Sequence, residues 1–229
     1  MSSKDISLVV DFCAHDAVVY ACKNWHYSKT VPVPPLVKIG VWENGEFVGC
    51  VIFSRGASSN LLKPYGLSQE EGCELTRVAL RNHKSTVSKI LKFAIMKLKK
   101  ICPGVKLIVS FADPEEGHVG GIYQASNWVY CGETAKANVY YYKGRKLHSR
   151  QVSQKGWNIQ QGVIRKTIKP SECIVKQTRG KYRYLFPLDD EVKKRIAVLS
   201  KPYPKRAKRL DLEDHSKQGG SLPTRSLQE

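Results

Sequence analysis

Val105-Lys106-Leu107-Ile108-Val109-Ser110-Phe111-Ala112-Asp113-Pro114-Glu115-Glu116-Gly117-His118-Val119-Gly120-Gly121-Ile122-Tyr123-Gln124-Ala125-Ser126-Asn127-Trp128 is the stretch on which the fold turns. Val105 to Phe111 is apolar enough to read as a buried strand, and Gly120 to Asn127 reads as a short helix. Open α/β sheets bind ligands where strands end. Here Ser110, Asp113, His118, Tyr123 and Asn127 gather at such an end. That is more polar side chains than a short loop needs for solubility. The plainer alternative is a turn stopped by Asp-Pro and followed by a capped helix.

Upstream, Val87, Ile90, Leu91, Ala94, Ile95 and Leu98 recur at spacings of three and four, an amphipathic helix. Ser85 or Thr86 can cap its start, and Pro103-Gly104 ends it. Cys73 to Leu80 alternates, with Leu75, Arg77 and Ala79 on one side and Glu74, Thr76, Val78 and Leu80 on the other, and reads as a strand. Val37 to Trp42 and Phe47 to Phe53 flank Asn44-Gly45, a hairpin signal. Before them come a strand at Ile6 to Cys13, a helix at Asp16 to Trp25, and a Pro-rich loop to Pro35. Ser54 to Gln69 reads as a loop, and Asn138 to Tyr142 as a further strand. The order mixes an antiparallel hairpin with later βαβ units around one sheet. The expected fold class is therefore α/β, a mixed central sheet flanked by helices over residues 1–149.

The 229 residues carry 38 Lys plus Arg against 20 Asp plus Glu, a net charge of +18. That excess favours polyanionic partners, nucleic acid above all, with an anionic membrane surface as the rival. Residues 150–209 alone hold 17 Lys or Arg against 4 Asp or Glu, with Trp157, Tyr182, Tyr184, Phe186 and Tyr203 interleaved. We read them as a basic C-terminal extension packed on the core, its cations neutralising phosphates and its aromatics stacking on bases. Within it Asp189 to Leu199 suits one helix, and 205–209 is a basic cluster. Residues 210–229 lack apolar periodicity and are expected to be a disordered tail. The polar start and the lack of an 18-residue apolar run point to a soluble intracellular protein. Seven scattered cysteines without a CxxC pair read as reduced, mostly buried thiols rather than a zinc site.

The turn Arg81-Asn82-His83-Lys84-Ser85-Thr86 joins a strand to a helix, where free N–H groups with Arg81, Lys84 and Ser85 would hold phosphate. It resembles the turn at which GCN5-related N-acetyltransferases hold the pyrophosphate of coenzyme A, and the element order resembles theirs too. The glycines usual in that turn are missing, so a donor other than an ordinary acyl-CoA stays open. Trp25-His26-Tyr27-Ser28 follows the first helix, where that superfamily places substrate-binding groups. Glu74 lies on the central strand, where related enzymes often carry a general base.

Taken together and in order, Trp25-His26-Tyr27-Ser28, Phe111 to Pro114, Gly117-His118, Ile122 to Trp128, Lys181-Tyr182-Arg183-Tyr184 and Pro202 to Arg206 resemble the Mom DNA-modification proteins of phages. The resemblance covers nearly the whole chain. It implies an enzyme, working in the host cytoplasm on double-stranded DNA, that places a carbamoylmethyl (acetamido) group on the exocyclic amine of adenine and so shields phage DNA from restriction. Simple acyl transfer would leave an amide, not a CH2, on that nitrogen. A glycyl group is an isomer of the carbamoylmethyl group, so an activated glycyl donor such as glycyl-tRNA, followed by rearrangement, is one solution. Acetyl-CoA with a separate nitrogen source and iron chemistry is the other.

On this reading Asp113, then Glu74, would accept the amine proton, and His26 or His118 would shuttle it. Tyr27, Tyr123 and Asn127 would hold the extruded base. Arg81, Lys84, Ser85 and Ser110 would bind the donor. Lys181, Arg183, Tyr184, Lys205 and Arg206 would contact DNA. His26, Asp113 and His118 would be the ligands if iron is used, although no metal-motif spacing supports it. A non-catalytic nucleic-acid-binding protein and an ordinary acetyltransferase on a protein or small molecule are the alternatives.

Overall fold

The computed structural model describes residues 6–56, 58–147, 149–160 and 162–205. β1 (Leu8–Phe12) leads into α1 (His15–Trp25), and then β2 (Leu36–Glu43) and β3 (Glu46–Ser54) form the expected hairpin. Asn44 and Gly45 both have positive φ, 52° and 84°, which is what a two-residue turn between right-twisted strands requires. β4 (Gly72–Leu80), α2 (Val87–Ile101), β5 (Leu107–Ala112), α3 (Gly121–Gln124) and β6 (Val129–Glu133) follow. Beyond them are β7 (Ala137–Tyr142), β8 (Arg145–Leu147), β9 (Trp157–Gln160), β10 (Val163–Lys166), β11 (Ile174–Thr178), β12 (Tyr182–Pro187) and α4 (Asp190–Ala197).

Seven strands make the central sheet, in the order β1-β2-β3-β4-β5-β12-β6. β4 and β5 run parallel and the other neighbours antiparallel, so the expected mixed sheet is present. Helix α2 lays Ile90, Leu91, Ala94, Ile95 and Leu98 on one face, against Ile39, Val41, Val51, Phe53 and Leu75. Its N-cap is Thr86, whose hydroxyl accepts from the Lys89 N–H. Helix α1 covers the other face, with Val18, Ala21 and Cys22 against Cys50, Ile52 and Ala79. On that same face, further along, α4 packs Val192 and Ile196 with Leu107, Val109 and Leu185. All seven cysteines are free thiols.

Several sequence expectations need correction. The alternation of β4 is interrupted: Ile52 pairs with Arg77 but Phe53 pairs with Leu75, so Thr76 is an extra residue in a bulge. Leu75, Val78 and Leu80 therefore all pack on the α2 side, while Ala79 packs on the α1 side. The expected helix Gly120 to Asn127 shrinks to one turn, because Asn127 adopts a left-handed backbone (φ 56°) and ends it. The strand at Asn138 to Tyr142 lies outside the central sheet, in a three-stranded sheet of order β11-β7-β8.

The boundary expected at residue 149 does not separate core from extension. β12, drawn from the basic aromatic segment, inserts between β5 and β6 and pairs with both. Tyr182, Tyr184 and Phe186 alternate onto the α2 side, and Leu185 faces α4. The chain then returns across β6: the Lys201 N–H reaches the Tyr130 carbonyl and the Tyr203 hydroxyl the Trp128 carbonyl. What lies outside the core is the insertion between β6 and β12, which carries two small sheets. Arg206 and the tail 210–229 lie outside the described residues.

Candidate active site

β4 and β5 pair only as far as Glu74 and Val109. Past that point β4 follows β3 and β5 follows β12, so the two parallel strands splay apart. A cavity of about 610 Å³ opens there, at the carboxyl end of both strands. Its walls are Trp25, His26 and Tyr27 after α1, the β4 residues Thr76, Val78 and Leu80, His83 and Val87 at the start of α2, and the segments 111–113 and 117–123. The polar loop singled out by its sequence is thus part of a cleft.

Ser110 holds the splayed strands in place. Its hydroxyl lies 2.7 Å from the Leu75 carbonyl and 2.7 Å from the Tyr123 hydroxyl. Serine has one hydrogen to give and a carbonyl can only accept. Ser110 therefore donates across the gap to β4 and accepts from Tyr123. Because Ser110 is fully buried, it is unavailable to a donor substrate, which corrects the donor-binding assignment. Burial pushes the Tyr123 phenol up to about 12, so it is a neutral donor at any working pH. Tyr123 forms the cavity floor between Trp128 and Tyr184, with ring centroids 5.0 Å from each.

Tyr184 is itself fully buried, so it contacts no DNA. Its hydroxyl donates to the Val119 carbonyl and accepts from the Gln124 amide, which ties the loop 117–124 to β12. Arg183 points to the opposite sheet face, near the Tyr65 hydroxyl (3.5 Å), away from the cleft. Asn127 is exposed and outside the cavity wall. Lys205 is exposed and Arg206 undescribed.

At the cleft mouth three rings are in contact, His26 stacked on Tyr27 and His118 tilted against it. His26 and Tyr27 have centroids 4.3 Å apart at 31°, and Tyr27 and His118 are 5.3 Å apart. The His26 Nδ1 accepts the Ser28 N–H at 3.1 Å, with the Ser28 hydroxyl at 2.9 Å. A backbone N–H can only donate, so the neutral ring carries its proton on Nε2. Burial, helped by the charges of Arg77, His118 and Lys29, holds His26 down at about 4. Between that value and the ordinary 6.5, the unfolded chain binds a proton that the folded chain refuses, so stability rises with pH across this window. Acidification toward pH 4 should cost up to about 3 kcal/mol through this group. Denaturant titrations of wild type and His26→Gln check this: the variant should lose that part of the slope.

Asp113 lines the cavity with its side chain mostly covered. One oxygen caps the turn at Pro114–Glu116 by accepting the Glu115 N–H, and the other pairs with Lys181 at 3.1 Å. The capped-turn reading and the site reading therefore both hold for one residue. Glu74 is not part of the cavity wall: its carboxylate sits beside Gly56, on the side of β4 opposite Leu75. His26, Asp113 and His118 do not form an iron set. The Tyr27 ring contacts both imidazoles, and no three ligating side chains converge among the described residues.

The phosphate turn is also different from expectation. Lys84 and Ser85 do offer their N–H groups, but both, at 2.7 Å, are taken by the carboxylate of buried Glu43 from the end of β2. Burial would raise that carboxyl, but the bonds from Lys84 and Ser85 outweigh it and hold it below its ordinary value. Thus an internal anion occupies the place read as a donor site, and Arg81 and Lys84 stand outside the cavity wall. Sequence reasoning passed over His83 in the same turn. Its Nδ1 donates to the Ser85 carbonyl at 2.8 Å, so the neutral ring keeps its acceptor lone pair on Nε2. Only the splay of β4 from β5 brings that ring to the cleft. No described helix is long and apolar enough to cross a membrane.

The model of the Mom protein family matches residues 7–205, a span that contains every cleft residue. The chain is 26% identical over 187 residues to the methylcarbamoylase mom of Escherichia phage Mu, covering 79% of this chain and 76% of that protein. Among solved structures, a putative acetyltransferase from Acinetobacter baylyi matches at a TM-score of 0.47 and 10% identity, over 90% of this chain and all of that one. An acetyltransferase from Bacillus subtilis in complex with CoA matches at 0.45 and 13%, over 80% and 99%.

Proposed function

Because the chain belongs to the Mom protein family, we propose that it is a phage DNA-modifying transferase that places a carbamoylmethyl group on the exocyclic amine of adenine in double-stranded DNA. The modified base would protect phage DNA from restriction in the host cytoplasm. The observation that carries this reading is the cleft, which lies wholly within the matched span and pairs an aromatic mouth with a carboxylate.

A base inside a duplex is out of reach and must be extruded. Tyr27, backed by His26, offers the extruded adenine a ring to stack on once the exposed His118 ring swings aside, and the His26 Nε2–H is a donor for a ring nitrogen. The exocyclic amine is a poor nucleophile because its lone pair is delocalised into the ring. Asp113 accepts the amine proton as the new N–C bond forms, with Lys181 balancing its charge. His118, exposed at the rim, passes that proton on.

The occupied turn favours a glycyl ester over an acyl-CoA. With Glu43 on the Lys84 and Ser85 N–H groups, these two amides and the space beside them are closed to a pyrophosphate. In the glycyl route the amine nitrogen attacks the ester carbonyl, the acyl–oxygen bond breaks, and the proton ends on the departing hydroxyl oxygen. Isomerisation of the N-glycyl group then yields the carbamoylmethyl group with no other reactant: the bonds from the adenine nitrogen to the carbonyl carbon and from the glycyl amine to the CH2 break, and the two nitrogens exchange carbons, so that atoms and electrons balance.

The test is mass spectrometry of nucleosides from duplex DNA incubated with purified protein and either glycyl-tRNA or acetyl-CoA. A deoxyadenosine heavier by one carbamoylmethyl group is expected with glycyl-tRNA, its fragment ions placing the CH2, and not the carbonyl, on the adenine nitrogen. The same product from acetyl-CoA would overturn the donor, and unmodified adenine with both would overturn the reaction.

A further inference from the structure

β9 and β10 form a two-stranded ribbon that pairs with no third strand among the described residues. Ile159 stands opposite Ile164, and Trp157 opposite Lys166, so these four side chains share one face. Asn158 alternates onto the other face and donates its amide to the Arg150 carbonyl at 2.6 Å, while the Ser153 hydroxyl reaches the Trp157 carbonyl. That inner face is thereby tied to the segment before the ribbon. On the outer face Ile159 is 63% exposed and Ile164 69%.

A ribbon this short gains little from its own pairing, and exposed apolar strands invite aggregation unless a partner covers them. Its surroundings indicate which partner. The Lys155 ammonium lies 5.3 Å from the Trp157 ring centroid, and Lys166 sits across the ribbon from the same ring. From residue 136 to 181 there are twelve Lys or Arg and a single acidic residue, Glu172. Apolar wedges flanked by cations are how proteins enter a DNA groove, part a base step and hold the phosphates on either side.

We propose that the β9–β10 ribbon is a DNA-docking wedge: Ile159 and Ile164 press into a base step of duplex DNA while Lys155 and Lys166 hold the flanking phosphates. This rests on the reading that duplex DNA is the substrate. It adds a contact surface formed by neither the cleft nor the central sheet. Parting a step would lower the cost of extruding the base the cleft needs.

The test uses the full chain, with two double variants that alter only exposed positions and should melt as wild type does. Binding is followed by anisotropy of a labelled duplex across salt concentrations, and unstacking by emission of 2-aminopurine in that duplex. For Ile159→Ser with Ile164→Ser, affinity should fall about tenfold or more with the salt slope unchanged, and the 2-aminopurine rise should vanish. For Lys155→Gln with Lys166→Gln, the slope of log affinity against log salt should shrink by about 2. Wild-type affinity and emission in the serine variant would overturn the wedge while leaving the DNA reading intact. Failure of the wild type to bind duplex would overturn that reading and the wedge with it. If the serine variant instead changes sedimentation, or loses binding to phosphatidylglycerol vesicles while DNA binding stays intact, the ribbon serves self-association or a membrane, and the proposal falls.

Discussion

Asp113→Asn should lower the yield of modified adenine at least about 100-fold while the protein folds as before. Asparagine keeps an oxygen where Asp113 Oδ1 accepts the Glu115 N–H at 3.1 Å, so the cap on the Pro114 turn survives. The lost partner is Lys181, whose side chain is half exposed, and an ion pair of that kind contributes at most about 1 kcal/mol. For a domain of this size the melting temperature should therefore move by no more than about 4 °C. What disappears is the negative charge that we propose receives the amine proton. Nucleoside mass spectrometry of plasmid DNA from bacteria expressing each form reads the yield, and anisotropy on duplex DNA reads the affinity, which should stay near wild type. Full modification by the Asn variant would remove Asp113 from the chemistry and move attention to His83. Loss of DNA binding alone would favour a non-catalytic binding protein.

Gly120→Ala should destabilise the fold by about 3 kcal/mol and lower the melting temperature by about 6–12 °C. The backbone at Gly120 has φ 77°, where a side chain costs about 1 kcal/mol. The added methyl would also lie 2.5 Å from Cζ and 2.7 Å from the hydroxyl of Tyr184, a ring packed in the core with no room to yield. Gly121→Ala is the control: nothing lies within 4 Å of the added carbon, and the residue starts α3, so a change below about 1 kcal/mol is expected there. Thermal unfolding of the pair decides it. Equal melting temperatures would mean that Tyr184 does not pin the loop.

The elements legible in the sequence are those built from local signals. α2 shows in its spacing of three and four, the β2–β3 hairpin in Asn44-Gly45, and the cleft loop in its polar surplus at a strand end. What was missed depends on partners distant in the chain. Lys181 to Phe186 reads as a nucleic-acid face because charges alternate with aromatics. Yet that alternation is the period of a strand, and it becomes one because Tyr184 meets Ser110 and Leu185 meets Val109, residues more than seventy positions earlier. The same pairing buries Tyr184 and Ser110, two residues whose chemistry read as functional. The bulge at Thr76 and the plug formed by Glu43 leave no mark on apolar periodicity, since each is a register or a hydrogen bond made across the sheet. Tyr27, His26, His118 and Asp113 were recognised as residues, but their mutual geometry was not. Rings in contact and a doubly engaged carboxylate follow from the splay of β4 from β5.

The place of β12 has a consequence for how the protein is made. A nascent chain leaves the ribosome with β5 and β6 well before Tyr182 appears, and until then β5 has only β4 beside it and β6 has no neighbour in the sheet. In the interval β5 presents one unpaired edge and β6 two, and the insertion must be spanned before the gap can close, an entropic cost that grows only slowly with its length. Closure is thus the last and most non-local event in the central sheet, which places this chain among slow folders whose waiting state is open to edge-to-edge association. It also ties the cleft to complete synthesis: the loop that carries His118 is anchored by Tyr184, so a truncated product has the cleft side chains without the scaffold that aims them.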